Sequence, residues 1–478
     1  MKNFNKKCLA CGLLFTVFQA ELYADALSGF AQGLQQVVKQ GKKDLKGEFY
    51  NKLLEEIRKL PQAPSDFPKA KSFTADILLD AAQDFVEVMK KCLDKAQWIE
   101  NGGTKDYLFV RKVILPADSV IEFRGDLHGD VHSLIRWLDS LRDKGWFDKN
   151  NPFKLIKKDR YLAFLGDYTD RGHYGAEIMY IIMQLFLHNP DNVLIVRGNH
   201  EDYEIISQYG FVSELKKKLS FDTNKVFKLV DVYEYMPVAM FLGCKNNNGG
   251  ADFIQCCHGG MEFGYNSHLL LSDKANNQLD VYEWIDKKID EKREKVACKR
   301  HPDLKKLLAE VVCDAQVSGF QWNDFDFMNK TPLSLPDYID GRGYELHQKY
   351  TTRLLEDATS KNSKNKVLAV FRAHQHNSET VQHILDYGNG VYKLWNNGGS
   401  EGEIKKGFDW IKQWSGKENE TVPFEKYSVW TFNVAPRTGA YETRIARPDS
   451  FSYDTVARLS LKPGFENWTL YPRKIPVK

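Results

Sequence analysis

The sequence has no strong excess of charge of either sign. Lysine and arginine total 67 and aspartate and glutamate total 64, so the formal net charge of the 478 residues is +3. This balance does not predict the basic surface that binding to nucleic acid or to an anionic membrane requires, so no nucleic-acid partner is expected. Hydrophobic residues make up 42% and charged residues 27%, which excludes a disordered, collagen-like or coiled-coil chain.

Long hydrophobic runs are also missing. No uninterrupted apolar run reaches the roughly 18 residues of a membrane-spanning helix, so no stable membrane insertion is expected. The apolar run at Cys8–Ala20 follows three lysines and has the form of a secretory signal peptide. We predict a signal peptide at residues 1–24 and an exported protein, periplasmic or secreted. The alternative is a buried N-terminal helix in a cytoplasmic protein.

Cysteine is sparse and lacks a pattern. The chain has eight cysteines, and the six that follow the predicted signal peptide show no CxxC pair and no disulfide-rich cluster. Cys256 and Cys257 are adjacent inside an apolar run, which favours packing in a core. This cysteine usage does not support export, and no disulfide connectivity follows from it.

The pattern of apolar residues divides the chain into two parts after the signal peptide. Residues 25–115 are predicted to be a helical extension, because Thr74–Ala96 carries apolar residues at helical spacing. Residues 116–478 are predicted to be an α/β domain, with a charged helical insertion or cap at about 264–345 and a C-terminal extension after about 400. Five short apolar runs are the predicted strands: Ser119–Phe123, Tyr161–Leu165, Val193–Val196, Phe253–Cys257 and Val367–Phe371.

Residues suited to metals and phosphate follow each of these five strands. The motifs are RGDLHGD after the first, GDYTDRG after the second, RGNHE after the third, HGG after the fourth and RAHQH after the fifth. In open α/β sheets, sites form in loops beyond the carboxyl ends of strands, so these side chains are expected to share one cleft. Mixed oxygen and imidazole ligands suit manganese, iron or zinc better than calcium, and two such ions suit displacement at phosphorus.

The ordered set GDxHG, GDxxDRG, GNHE, HGG and a late histidine resembles the calcineurin-like metallophosphoesterases. RGNHE, CCHGG and RAHQ resemble more narrowly the phosphoprotein phosphatase (PPP) family, and so do QWNDFD at residues 321–326 and GRG at residues 341–343. The resemblance spans about residues 118–400. It implies a four-layer sandwich of two mixed β-sheets flanked by helices, and metal-dependent hydrolysis of phosphate monoesters in a phosphoprotein substrate.

The resemblance also implies a set of metal ligands. It requires two divalent metal ions, with manganese the expected species and iron or zinc also compatible. Asp126 and His128 would bind the first metal, and Asp167 would bridge both. The second metal would be held by three further residues: Asn199, His258 and His374.

Catalytic roles follow in the same way. Arg171 and Arg342 would hold the phosphate oxygens, because a guanidinium offers the bidentate geometry that a phosphate needs, and Asn199 would contact the substrate beside its metal. His200 would be the general acid, oriented by Asp170. A hydroxide bridging the metals would attack phosphorus directly, with no phosphoenzyme. Weaker candidates for a role near the site are Arg197, Asp130, His173 and His376.

Two departures from the family pattern leave the substrate open. Asp130 stands where common eukaryotic members carry glutamine, and in this respect the motif is similar to the bacterial, Shewanella-like branch. The SAPNYCGE element is absent, and its nearest counterpart at residues 394–403 lacks the tyrosine. The serine/threonine-type activity therefore has two alternatives within the enzyme class: preference for phosphotyrosine, and a small-molecule, nucleotide-type substrate. A non-catalytic binding module is the third alternative, and the oligomeric state does not follow from the sequence.

Overall fold

The structure is a computed structural model of the chain. It describes residues 47–62, 64–92, 107–262, 265, 267–272, 276–283, 318–326, 336–339, 342–358, 364–375, 391–394, 421–423, 426–432 and 453–476. The predicted signal peptide, residues 284–317 of the predicted insertion and His376 lie outside the described residues.

The described chain alternates helices and strands. Its helices are α1 (Gly47–Arg58), α2 (Ala75–Cys92), α3 (Val131–Arg142), α4 (Gly175–His188), α5 (Tyr203–Tyr209), α6 (Phe211–Leu219), α7 (Thr223–Val230), α8 (His268–Ser272), α9 (Gly319–Trp322) and α10 (Gln348–Ala358). Its strands are β1 (Tyr107–Leu115), β2 (Val120–Arg124), β3 (Arg160–Phe164), β4 (Val193–Ile195), β5 (Ala239–Lys245), β6 (Ala251–Cys257), β7 (Asn277–Glu283), β8 (Asp324–Phe325), β9 (Asp337–Ile339), β10 (Gly343–Leu346), β11 (Lys366–Arg372), β12 (Val391–Leu394), β13 (Val422–Pro423), β14 (Ser428–Phe432), β15 (Tyr453–Ser460) and β16 (Thr469–Pro476).

Two mixed sheets form the centre of the fold. Within the described residues one sheet has the order β12-β14-β11-β6-β5-β1-β7 and the other the order β13-β16-β15-β2-β3-β4. A shared core of buried apolar side chains fills the space between them, where Phe123 of β2 packs edge-on against Phe371 of β11 with ring centroids 4.8 Å apart. Helices cover the outer face of each sheet, so the predicted four-layer α/β sandwich is confirmed.

The five predicted strands are present in the structure as β2, β3, β4, β6 and β11. β2, β3 and β4 are parallel neighbours in one sheet, and β6 and β11 are parallel neighbours in the other. Parallel strands present their carboxyl ends at one edge, so the five motifs are brought together there. The site is therefore built where the two sheets meet.

The structure differs from the sequence expectation at residues 107–115. The sequence predicts these residues as part of the helical extension, but they form β1, which pairs in parallel with β5. Arg111 and Lys112 interrupt the apolar run in the sequence, whereas in the structure Lys112 is fully buried. The predicted helix within the extension is present as α2, and its Phe85 packs against Phe186 of α4 at 4.9 Å.

The insertion and the C-terminal extension also contribute to the sheets. β7, within the predicted helical insertion, pairs antiparallel with β1, and β8, β10 and β9 form a separate three-stranded sheet. Beyond residue 400, β14 pairs with β11 and β15 pairs with β2. Alternation of polar and apolar residues over these short strands is easily hidden among charged neighbours, which explains why the insertion was predicted as helix.

Two further expectations concern cysteines and membranes. Cys92, Cys244, Cys256 and Cys257 are free thiols, and the adjacent pair is fully buried as the apolar context indicates. Among the described residues, no helix combines the length and the apolar character needed to cross a membrane.

Candidate active site

The motif loops turn sharply at the residues that carry the functional side chains. His128, Asp167, Asp170, Arg171 and His374 all have positive φ, between 42° and 69°. This left-handed region costs a residue other than glycine about 1–3 kcal/mol and persists where the surrounding structure enforces it. The turns point successive side chains into one buried space at the strand ends.

Glycine allows the loops after β2 and β3 to approach each other closely. Gly129 has a φ of +72°, and a Cβ there would lie 2.7 Å from the backbone of Gly172. The loop after β2 therefore packs directly against the loop after β3, which brings His128 next to Asp167.

The first group of potential metal ligands consists of His128, Asp167 and His200. His128 Nε2 lies 3.4 Å from Asp167 Oδ2, and both side chains are almost fully buried. His128 Nδ1 lies 3.1 Å from the carbonyl oxygen of Thr169. Because a carbonyl only accepts, Nδ1 carries the proton and Nε2 presents its lone pair to the centre.

The second group consists of Asp167, His258 and His374. His258 Nε2 lies 3.1 Å from Asp167 Oδ2, and its Nδ1 donates to the carbonyl of Leu165 at 2.8 Å. His374 Nδ1 lies 3.2 Å from His258 Nε2 and 3.1 Å from the side-chain oxygen of Asn199. The two groups share Asp167, which is the position the sequence predicts for a bridging ligand.

Asp126 lies at the edge of both groups. Its side chain is fully buried, with Oδ2 3.9 Å from His128 Nε2 and Oδ1 3.7 Å from His258 Nδ1. Oδ1 also accepts the backbone N–H of His374 at 3.2 Å. Burial raises the pKa of Asp126 to about 6, although the neighbouring His258 opposes the shift.

Burial and the contacts between carboxylates and imidazoles shift the pKa values of the residues at the centre. Burial favours neutral Asp167, but His258 and His200 hold its pKa well below the ordinary value. Burial lowers the pKa of His258, but the carboxylates of Asp167 and Asp126 outweigh this effect and raise it to about 9. Burial, His258 and Arg342 hold the pKa of His374 well below its usual value, so its ring is neutral.

These residues fit a pair of divalent cations. Carboxylate, amide and imidazole donors converge, and each of His128 and His258 has one ring nitrogen fixed by a backbone carbonyl so that the other faces Asp167. Such outer contacts are typical of metal-binding histidines. The donor set suits first-row transition metals rather than calcium.

A second arrangement, beside the potential ligands, is suited to proton transfer. His200 Nδ1 donates to Asp170 Oδ2 at 2.7 Å, which leaves Nε2 facing the centre, 4.0 Å from Asp167 Oδ2. Asp170 Oδ1 accepts the backbone N–H of Phe211 at 2.9 Å, so the carboxylate itself is held in place. The predicted acid and its orienting carboxylate are therefore in contact.

The two predicted phosphate-binding arginines flank the centre on opposite sides. Arg171 Nη2 lies 3.3 Å from His200 Nε2, and Arg342 Nη2 lies 3.2 Å from His374 Nε2. Arg342 also donates to Asp324 Oδ2 through Nη2 at 2.9 Å and Nε at 3.2 Å. A negatively charged group entering the centre would meet a guanidinium on each side.

Three residues with a place at this site had no predicted role. Asp324, within the QWNDFD segment, contacts Arg342 and also Arg372, whose Nη2 is 3.2 Å away. Glu201, the last residue of RGNHE, is buried and accepts the backbone N–H groups of Asp167, Tyr168 and Gly198 at 2.8–2.9 Å. Both residues lie inside motifs that were recognised, so the motif match was the available signal.

The third is Tyr209, whose ring lies edge-on to that of His200 with centroids 5.1 Å apart. The side chain is partly exposed, with 45% of its surface accessible, so it borders the opening of the site. It lies at the end of helix α5, and no motif quoted from the sequence includes it.

The weaker candidates have other contacts. Arg197 donates to the backbone carbonyl of Glu201 at 3.0 Å, and Asp130 caps helix α3 by accepting the N–H of Ser133 at 3.0 Å. His173 packs its ring against Phe67 of the N-terminal extension at 5.3 Å.

Comparison with known proteins agrees with this geometry. The sequence profile of the family described as "Calcineurin-like phosphoesterase" matches residues 123–378, which is more than half of the chain. All six predicted metal ligands, both predicted phosphate-binding arginines and the His200–Asp170 pair lie within the matched residues.

Curated relatives are protein phosphatases. The chain is 26% identical over 308 residues to the serine/threonine-protein phosphatase 4 catalytic subunit of Saccharomyces cerevisiae, covering 64% of this chain and 76% of the relative. It is 33% identical over 145 residues to the protein of the same name from Kluyveromyces lactis, covering 30% of this chain and 40% of the relative. This second match spans less than half of the relative's length.

Solved structures give weaker similarity. A protein serine/threonine phosphatase from Saccharomyces cerevisiae aligns with a TM-score of 0.46 and 15% identity, covering 90% of this chain and 96% of that one. A cold-active protein-tyrosine phosphatase of a psychrophilic Shewanella aligns with a TM-score of 0.34 and 11% identity, covering 76% of this chain and 83% of that one.

Proposed function

Because the chain belongs to the calcineurin-like phosphoesterase family, we propose that it is a metal-dependent phosphoprotein phosphatase of the serine/threonine type. The observation that carries the proposal is the pair of His/Asp groups that share Asp167, next to the contact between His200 and Asp170. Similarity to serine/threonine-protein phosphatases over 308 residues supports the substrate class.

Six side chains would hold the two cations, with Asp167 between them. When bound, the cations would neutralise phosphate charge and lower the pKa of water near phosphorus. Manganese is the proposed species, because the donors mix oxygen with imidazole nitrogen, and iron and zinc accept the same ligands. The proposed ligands are Asp126, His128, Asp167, Asn199, His258 and His374.

The chain's own groups would orient the phosphate and supply a proton. Arg171 and Arg342 would each donate N–H groups to phosphate oxygens, from the two sides of the centre. His200 in its protonated form would give the Nε2 proton to the leaving alkoxide of serine or threonine. Asp170, bonded to Nδ1, would hold the ring in position and stabilise its positive charge.

The experiment that tests this function is phosphate release from matched phosphoserine, phosphothreonine and phosphotyrosine peptides. The protein would be stripped of metal and tested with and without added manganese, beside an Asp167→Asn variant. We expect release from the phosphoserine and phosphothreonine peptides that needs manganese and is lost in the variant.

Other results would point to the alternatives. Faster turnover of the phosphotyrosine peptide would overturn the serine/threonine assignment. Inert peptides together with cleavage of a dinucleoside polyphosphate would indicate a small-molecule phosphoesterase. Metal binding with no hydrolysis of any substrate would favour a binding module.

We also propose that the protein is exported. The support is the lysine-flanked apolar run at residues 8–20. Cell fractionation of the full-length protein, with sequencing of the mature N-terminus, tests this proposal. A mature chain that begins near residue 21 or 25 would support export, and an intact N-terminus in the cytoplasm would contradict it.

A further inference from the structure

A basic cavity of about 350 Å³ opens on the six-stranded sheet, away from the metal ligands. It is bordered by Val120 and Arg160, the first residues of β2 and β3, whereas Asp126 and Asp167 follow the last residues of the same strands. At about 3.3 Å per residue, the first and last residues of a five-residue strand lie about 13 Å apart, so the two sites are at opposite ends of these strands. The cavity is therefore separate from the catalytic centre.

The wall of the cavity holds two guanidinium groups against an aromatic ring. Trp146 is buried, and the Cζ atoms of Arg160 and Arg458 lie 5.6 Å and 5.5 Å from its ring centroid. These are cation–π distances, so the ring fixes the position of both guanidinium groups. The arginines enter any binding event already ordered, which lowers the entropic cost of recognising a ligand.

The charges around the cavity are unbalanced. Half of its eight lining residues are lysine or arginine, and none is aspartate or glutamate. Buried Glu122 is shared between Arg458, at 2.6 Å, and Arg473, and exposed Asp159 pairs with Arg160 at 2.8 Å. With Arg473 included, this group of side chains contains five cations and two carboxylates.

Two of those cations are the lysines of the cavity wall. Among the described residues, no ion pair involves the ammonium group of Lys144 or of Lys157. Burial lowers the pKa of Lys144, and so do the nearby Arg473 and Arg458, which outweigh the opposing effect of Glu122. An anion in the cavity would relieve this excess.

We propose that the cavity is a second, non-catalytic site that binds a small anion carrying more than one phosphate group. Guanidinium groups offer paired donors to phosphate oxygens, and the lysines add compact positive charges. The volume lies at the lower end of the roughly 300–1,000 Å³ of small-molecule sites, which favours a polyphosphorylated ligand over a single phosphate. The site lies beyond the reach of the residues that act on the substrate.

The test uses the full-length, metal-loaded protein and tungstate, a tetrahedral mimic of phosphate. Equilibrium dialysis counts bound tungstate, and anomalous scattering from soaked crystals locates it. The test variant is the double substitution Lys144→Glu with Lys157→Glu, in which Arg458 is kept so that buried Glu122 retains its partner. The matched control is Lys245→Glu, an exposed lysine at the end of β5 in the other sheet.

We expect two tungstate ions per wild-type chain, one at the metal centre and one in the cavity, and tripolyphosphate should displace the second. The double variant should lose the ion in the cavity, with affinity there reduced at least tenfold. It should keep full peptide phosphatase activity in the absence of tungstate, and the control should bind two ions.

Three results would overturn the proposal. One is tungstate at the metal centre alone in wild-type crystals, and another is an occupied cavity in the double variant. The third is tungstate in the cavity that tripolyphosphate fails to displace, which would contradict the polyphosphate assignment. None of these results bears on whether the catalytic centre hydrolyses phosphopeptides, so the two proposals fail separately.

Discussion

Asp324 Oδ2 accepts two hydrogen bonds from the guanidinium of Arg342, from Nη2 at 2.9 Å and from Nε at 3.2 Å. Arg342 reaches the metal centre from a three-stranded sheet that lies outside the two main sheets, and a third of its side chain is exposed. Asp324 therefore fixes the orientation of a long, flexible side chain beside His374.

Replacing Asp324 by asparagine should weaken substrate binding. A charge-assisted hydrogen bond contributes about 1.5–3 kcal/mol, so partial loss of it should raise KM about tenfold with little change in kcat. Steady-state kinetics on a phosphopeptide measures both constants. Asp337→Asn, in the same small sheet but without contact to Arg342, is the control, and an equal rise in KM there would contradict the assignment.

Replacing His200 by asparagine should lower kcat at least about 10²-fold, because general acid catalysis typically contributes 10²–10⁴-fold. The loss should be much smaller with an aryl phosphate such as p-nitrophenyl phosphate, whose leaving group needs no proton. Asp170→Asn should show the same dependence on the leaving group with a smaller loss, since Asp170 acts through His200. Equal losses on alkyl and aryl substrates would rule out the acid role.

Replacing Glu201 by glutamine should destabilise the fold without removing any ligand. The Glu201 carboxylate accepts three backbone N–H groups from two motif loops, and an amide nitrogen in its place would face a donor. A buried donor left unpaired costs about 1–3 kcal/mol, which urea unfolding would measure. Glu204→Gln, on the exposed side of α5, should change the free energy of unfolding by no more than about 0.5 kcal/mol.

The contacts of His347 should make the free energy of unfolding depend on pH. It lies between Asp326 Oδ2 at 3.1 Å and Asp337 Oδ2 at 3.2 Å, and although burial opposes the effect, these carboxylates raise its pKa above 6.5. A raised histidine pKa contributes stability that is complete below the unfolded value of 6.5 and is lost as the pH rises through the folded value.

The measurement compares wild type with His347→Gln by urea unfolding at a series of pH values. The stability difference should be largest below pH 6.5 and should shrink above it. A difference that stays constant over this range would mean that the ion pairs contribute nothing to stability.

The sequence predicted those parts of the fold whose pattern is local. The strand before each motif is a compact apolar run, and the motif contains the candidate side chains, so Asp126, His200 and His258 are predicted at positions that the structure brings together. β1 was missed because Arg111 and Lys112 interrupt its apolar run, although Lys112 is buried in the structure.

Residues that act through long-range contacts were harder to predict. The contacts of Asp324 and Tyr209 with the site depend on which loops meet in space, and neither chain spacing nor composition encodes that. The basic cavity likewise joins lysines and arginines that are up to 314 residues apart in the sequence, from Lys144 to Arg458. Such clusters become visible only after the sheets are assembled.

Divalent metal should stabilise the fold as well as permit catalysis. Without cations, the carboxylates of Asp126 and Asp167 are buried close together, and their mutual repulsion contributes to the raised pKa of Asp126. Metal bound only by the folded state stabilises it by about 2.7 kcal/mol at a concentration of 100 Kd. Manganese should therefore raise the unfolding temperature of chelator-treated protein, in a concentration-dependent way.

Asp167→Asn separates this effect from non-specific binding of metal. Because both groups of ligands share Asp167, the variant should lose most of the manganese-dependent rise in unfolding temperature. The metal-free variant should be less stable than the metal-free wild type at neutral pH, because the Asp167 carboxylate is the main charge partner of buried His258. If manganese raised the unfolding temperature of the variant as much as that of the wild type, the metal would bind elsewhere. The proposal that both metals share Asp167 would then be wrong.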